Sequence, residues 1–248
     1  MPPEARRGPS SLLELAMSWE HPVYVAPVIA DDGRTSAGKS RKALPLAQAL
    51  AFIAKDDPRP LLVLRDCFRC SGTDDALMTR NADNEKTMLM SRWFHCVRLP
   101  PDVLQPDHPF VGLFPGERPA HLFVAQPGGT GRIDLMGDQS RTELWGAMEA
   151  VLAKSYTRPP QKQLKELARL LDKLDRIDER IAKSQAALDD LVESDGPGSR
   201  KFKKLHAELT GMRSERNELR NEAVLVSRLE LRKAEGPASA APGAARGS

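Results

Sequence analysis

Cys67 and Cys70 stand two residues apart in Arg65-Asp66-Cys67-Phe68-Arg69-Cys70-Ser71-Gly72, directly after the apolar run Leu61-Leu62-Val63-Leu64. Thiols at this spacing exchange with a disulfide, form half of a metal clamp, or pack as two small apolar residues. The chain has three cysteines, an odd number, so a disulfide framework is not expected. Where thiols are kept reduced, a CxxC pair is redox-active or metal-binding more often than structural. The third cysteine, Cys96, lies in Phe94-His95-Cys96-Val97-Arg98-Leu99 and reads as a small apolar residue of a buried strand. The sharper alternative makes it a third redox thiol, or a metal ligand together with Cys67 and Cys70. His95 and His121 complete a zinc site only if the fold brings them together. Neighbours on a strand face opposite sides, so His95 and Cys96 do not ligate one ion. His108 and His206 read as solvent-facing.

A second motif, Gly33-Arg34-Thr35-Ser36-Ala37-Gly38-Lys39-Ser40, satisfies the phosphate-loop pattern, in which backbone N–H groups wrap phosphate and the lysine reaches its terminal oxygens. Pro45 follows soon after the serine, and prolines break the strand-like run before it. A polar loop accounts for the segment better than a nucleotide site does.

The elements that must carry these residues follow from the pattern of apolar positions. Residues 1–20 read as a loose arm with one helical turn, and 21–33 as a proline-interrupted edge strand. Residues 44–57 place Leu46, Leu50 and Ile53 on one helical face. The run 59–66 is a buried strand. After the cysteines come two short helices, a strand in 94–100, a proline-rich loop, and a hairpin of two strands around Pro127-Gly128-Gly129-Thr130-Gly131. Ser140 and Glu143 have capping-box spacing at the head of a helix whose apolar face is Leu144, Met148 and Val151.

Beyond residue 160 the chain changes character. Apolar residues recur every three or four positions through 161–194 and 199–233, the seam of a coiled coil. Ser194-Asp195-Gly196-Pro197-Gly198-Ser199 interrupts them, so the two helices fold back as an antiparallel hairpin. Partners in such a hairpin have a constant sum of positions. Leu188 with Leu205, Ile181 with Met212, Leu174 with Leu219 and Leu167 with Val226 share one sum, and Ile177 meets Arg216, which snorkels towards Asp175 or Asp178.

From 44 to 155 the order is helix, strand, CxxC, helix, strand, proline loop, strand, turn, strand, helix. This resembles the thioredoxin-like superfamily, which places a CxxC at a helix N-terminus after a central buried strand and a cis-proline across from it. The resemblance casts Cys67 as the nucleophile and Cys70 as the resolving thiol. It assigns Arg118 and Pro119, which precede the next strand, to substrate binding, and it matches Gly137 to the glycine that follows the family's closing hairpin. Asp66 stands where the family has tryptophan, and no proline separates the cysteines.

The expected fold class is therefore α/β, a thioredoxin-like three-layer sandwich with a C-terminal all-α antiparallel helical hairpin. The expected units are an N-terminal arm at 1–41, the thioredoxin-like domain at 42–156, the hairpin at 160–234 and a low-complexity tail at 235–248. The net charge of +3 is too small, and aromatics at 5% too sparse, to argue for a nucleic-acid partner. No apolar run reaches membrane-spanning length, and no signal peptide is read. The expected function is thiol–disulfide exchange on a protein substrate in the cytoplasm, with no metal and no cofactor, the hairpin being a docking or dimerisation arm. The alternative is a non-catalytic interaction protein that works through its hairpin.

Overall fold

A computed structural model describes residues 7–25, 42–67 and 84–232. Within these the fold is mixed α/β. Six helices are α1 (Pro9–Glu14), α2 (Leu46–Ala54), α3 (Glu85–Ser91), α4 (Arg141–Ser155), α5 (Gln161–Ser194) and α6 (Arg200–Val226). Four strands are β1 (Leu61–Arg65), β2 (His95–Leu99), β3 (Leu122–Ala125) and β4 (Ile133–Leu135). They form one sheet in the order β2-β1-β3-β4. β1 runs parallel to β2 and antiparallel to β3, and β3 runs antiparallel to β4.

β1 is fully apolar over its first four residues because both of its faces are covered. Leu62 and Leu64 point into one hydrophobic cluster with residues of α3, α4 and α5. Leu61 and Val63 point into the other, with α2 and with Val103, Phe110, Leu113 and Phe114 of the proline-rich loop. That loop contains two short 3₁₀ turns and supplies part of the core rather than skirting it. In α2 the buried residues are Ala49, Leu50, Ile53 and Ala54, whereas Leu46 is exposed. The expected face is thus rotated, since Leu46 occupies the first turn and faces away from the sheet. The capping box of α4 is formed: Ser140 Oγ accepts from Glu143 N–H at 3.2 Å, and Glu143 Oε2 accepts from Ser140 N–H at 2.6 Å.

α5 and α6 fold back along one another. Leu174, Ile181, Leu188, Leu205, Met212 and Leu219 share one cluster, and Leu167 and Val226 share the main core. Arg216 reaches Asp178 at 3.8 Å. The base of this pair does not stand apart from the sheet. Leu164, Leu167, Leu170 and Leu171 are continuous with the cluster under β1 and β3, and Leu229 and Leu231 pack against it. α6 ends at Val226, short of 233. Trp93 Nε1–H donates to the Ser227 carbonyl at 2.7 Å, and the chain then runs extended beside Ser155 and Tyr156.

The N-terminal segment is tied down rather than loose. Arg7 bonds Glu85 at 2.5 and 2.7 Å and Asp172 and Asp175 at 2.7 Å each. Ser10 binds Asp178 through both its N–H (2.7 Å) and its hydroxyl (2.9 Å), and Glu14 pairs with Arg92 and Arg220. α1 therefore buries Ser10, Ser11 and Glu14 and exposes Leu12 and Leu13, the reverse of ordinary amphipathic packing. Glu20 makes a parallel bridge to Val97 at the outer edge of β2. No helix among the described residues is long and apolar enough to cross a membrane.

Candidate functional site

The sheet register decides which side chains meet at the carboxyl end of β1. Leu64 lies opposite Leu122, and Leu122 opposite Leu135. The ladder runs one step further at this edge: Arg65 N–H donates to the His121 carbonyl, His121 N–H to Leu135, and Asp66 N–H to Leu99, each at 2.9 Å. Cys67 is thus the second residue past the central strand. The segments before β3 and after β4 arrive beside it.

Together they line a cleft of about 470 Å³. Cys67, Arg118 and Pro119 all border it, so the structure brings together three of the four residues singled out in the sequence. The fourth, Cys70, lies outside the described residues, as does the loop 33–40. Cys67 is half-buried, Pro119 is half-buried and Arg118 is exposed. The expected cis peptide is absent: the Arg118–Pro119 bond is trans, as are all peptide bonds among the described residues. An X–Pro bond keeps the trans isomer unless its surroundings favour the other by more than about 0.5–1 kcal/mol. Here the loop delivers Pro119 to the cleft without that bend.

Five other residues line the cleft, Arg65, His121, Met136, Gly137 and Asp138; of these the sequence marked Gly137 through the resemblance and His121 only as a conditional metal ligand. Arg65 donates from Nε to the Ala120 carbonyl at 3.2 Å and rests its guanidinium over the Phe114 ring at 5.9 Å. His121 is buried in the wall. Gly137 has φ +100°, and a Cβ there would lie 3.4 Å from His121 Cβ. Asp138 stands on the rim beside it. Behind the cleft, Asp66 is held by Arg98, whose Nε donates to Oδ1 at 2.9 Å and Oδ2 at 3.0 Å.

Among the described residues, which do not include Cys70, the rival metal and third-thiol arrangements do not form. Cys96 pairs with Leu62, five residues before Cys67, which at the rise of a strand is roughly 16 Å away. Its Sγ faces the carbonyls of Ser91 (3.5 Å) and Phe94 (3.8 Å), and burial pushes the thiol up to about 12. It is a core residue. His95 sits beside Leu61 at the opposite end of the sheet from His121. Its Nδ1 meets Asp57 Oδ2 at 3.0 Å, and its Nε2 meets the Ile53 carbonyl at 2.9 Å. That ring ties β2 to the turn after α2. Among the described residues, no group of three or more His, Cys, Asp or Glu is placed to hold a metal ion. His108, expected at the surface, is buried: its Nδ1 accepts from Phe110 N–H at 3.2 Å inside the proline-rich loop. His206 is exposed and stacks on Phe202.

Comparison of the chain with protein-family models, with curated proteins and with solved structures finds no match.

Proposed function

We propose that this chain is a thioredoxin-like thiol–disulfide oxidoreductase acting on protein disulfides. The observation that carries the reading is the meeting of Cys67, Arg118 and Pro119 on one cleft at the carboxyl end of the central strand. The closing β3–β4 hairpin, the positive-φ Gly137 and α4 behind it are the other features that support it.

The chemistry is a two-step exchange. The Cys67 thiolate attacks one sulfur of a substrate disulfide. That bond breaks, a mixed disulfide forms, and the departing sulfur takes a proton. The Cys70 thiolate then attacks Sγ of Cys67, releases the second substrate thiol and leaves a Cys67–Cys70 disulfide. The substrate gains two electrons, and the pair returns to the dithiol at the expense of an external dithiol reductant. Arg118 and Pro119 bind the substrate chain alongside the attacked sulfur. No cofactor takes part. The α5–α6 hairpin is a coiled-coil arm for docking or for pairing two copies, and the setting is the reducing cytoplasm.

The test is insulin reduction by dithiothreitol, compared for the parent protein and Cys67→Ser. A clear loss of acceleration is expected, and equal rates overturn the reading. The trans Arg118–Pro119 peptide favours a second reading, in which the α/β part is a non-catalytic scaffold and the hairpin does the work. Equal rates in the insulin assay are its expected outcome.

A further inference from the structure

Asp66 is adjacent to Cys67, and consecutive Cα atoms are 3.8 Å apart, so its carboxylate lies within roughly 5–9 Å of the sulfur. An uncompensated carboxylate at that range opposes ionisation of the thiol. This one is compensated, and by a residue that belongs to a different strand. Arg98 on β2 holds both carboxylate oxygens of Asp66 through Nε, at 2.9 and 3.0 Å.

The sheet imposes the pairing. β1 and β2 are parallel, with Leu64 opposite Arg98 and Arg65 opposite Leu99. The bond from Asp66 N–H to the Leu99 carbonyl then fixes Asp66 one step past β1. The main chain of Arg98 is anchored separately, its N–H donating to the Glu20 carbonyl at 2.8 Å. The Arg98 side chain is therefore free to serve the carboxylate without being needed to hold the strand.

We infer that Arg98 is a positioning residue for Cys67: by neutralising Asp66 it keeps a bare negative charge from standing beside the reacting thiol. The inference rests on the proposed function only in taking Cys67 as that thiol.

The experiment is the rate of iodoacetamide alkylation against pH, in the full-length chain carrying Cys70→Ser, so that Cys67 reacts alone while Cys96 stays buried. A unit charge about 7 Å away, at an effective dielectric between that of water and about 20, alters the thiolate population by roughly threefold to fiftyfold. Arg98→Ala is expected to slow alkylation at neutral pH by a factor in that range and to move the midpoint of the profile to higher pH. Arg65, Arg118, His121 and Asp138 border the cleft with Cys67 and are the same in every variant, and the limiting rate in alkali stays unchanged. Arg98→Gln gives the same result if the alanine variant does not fold, and Arg98→Lys stays near the parent. Adding Asp66→Asn to Arg98→Ala restores the parent profile, which a purely structural tie does not predict. A change below twofold in folded Arg98→Ala or Arg98→Gln, or a double variant as slow as the single one, overturns the inference. Alkylation does not depend on turnover. An insulin-inactive chain whose profile still follows Arg98 sinks the enzyme reading alone, and an active chain whose profile ignores Arg98 sinks this inference alone.

Discussion

Replacing Leu170 by alanine tests whether the long helices and the sheet unfold as one body. Leu170 is 0% exposed and lies in the same cluster as Leu62, Leu122, Leu144 and Met148. Truncating a fully buried leucine removes its transfer energy and leaves a cavity, a cost of about 3 kcal/mol within a usual span of 2–5. For a chain of this size, with a urea dependence of roughly 3 kcal/mol per molar, the midpoint should fall by about 1 M. Two probes report on the two parts. Far-UV circular dichroism is dominated by α5 and α6. Tryptophan fluorescence reports on Trp19, Trp93 and Trp145, all packed at the core beneath the sheet. Both curves should shift together and by the same amount. If dichroism shifts and fluorescence does not, the helices are an appended unit and the continuity of the core drawn above is wrong.

Two further expectations follow from the site and its surroundings. Burial would raise the carboxyl of Asp57, but hydrogen bonds from the Arg59 side chain and backbone outweigh it and hold the group down at about 2, against an ordinary 3.8. A depressed carboxyl stabilises the fold above its unfolded value and loses that contribution as pH falls through the folded one. After discounting for the partial exposure of the pair, the stability gap between the parent and Asp57→Asn should narrow by about 1 kcal/mol between about pH 4 and pH 2. A gap that stays constant over that range removes the assignment. Gly137→Ala places a side chain at φ +100° against His121, at a cost of about 1–2 kcal/mol. The melting temperature should drop by roughly 2–8 °C. An unchanged melt would show that this turn tolerates a Cβ.

The parts of the fold that the sequence announces are those where one local rule decides. β1 is a run of apolar residues too short for a helix, and Ser140 and Glu143 cap α4 through a contact three residues long. The seam of α5 and α6 reads out because a hairpin has a single register once its turn is known. The parts that stay hidden depend on partners distant in sequence. Nothing in Leu46 itself says that its turn of α2 faces water. Phe110 and Phe114 sit among prolines and histidines that suggest surface, yet they cover one face of the sheet. Leu164 to Leu171 carry the same spacing as the rest of α5, and only the position of the sheet tells which leucines meet it. At the cleft, the shared location of Cys67, Arg118 and Pro119 is what the order of elements led one to expect. The trans peptide and the Arg98 clamp were not legible, because a peptide isomer and a cross-strand ion pair leave no trace in spacing.

The anchors of the N-terminal segment bear on how the protein is made. Arg7 finds Asp172 and Asp175 on α5, and Glu14 finds Arg220 on α6. A ribosome adding about 5–20 residues per second needs on the order of ten to thirty seconds between delivering Arg7 and delivering its acidic partners on α5. Through that interval residues 7–14 can meet Glu85 and Arg92 but not their partners on α5 and α6. Their full set of contacts closes only after α5 and α6 have been made.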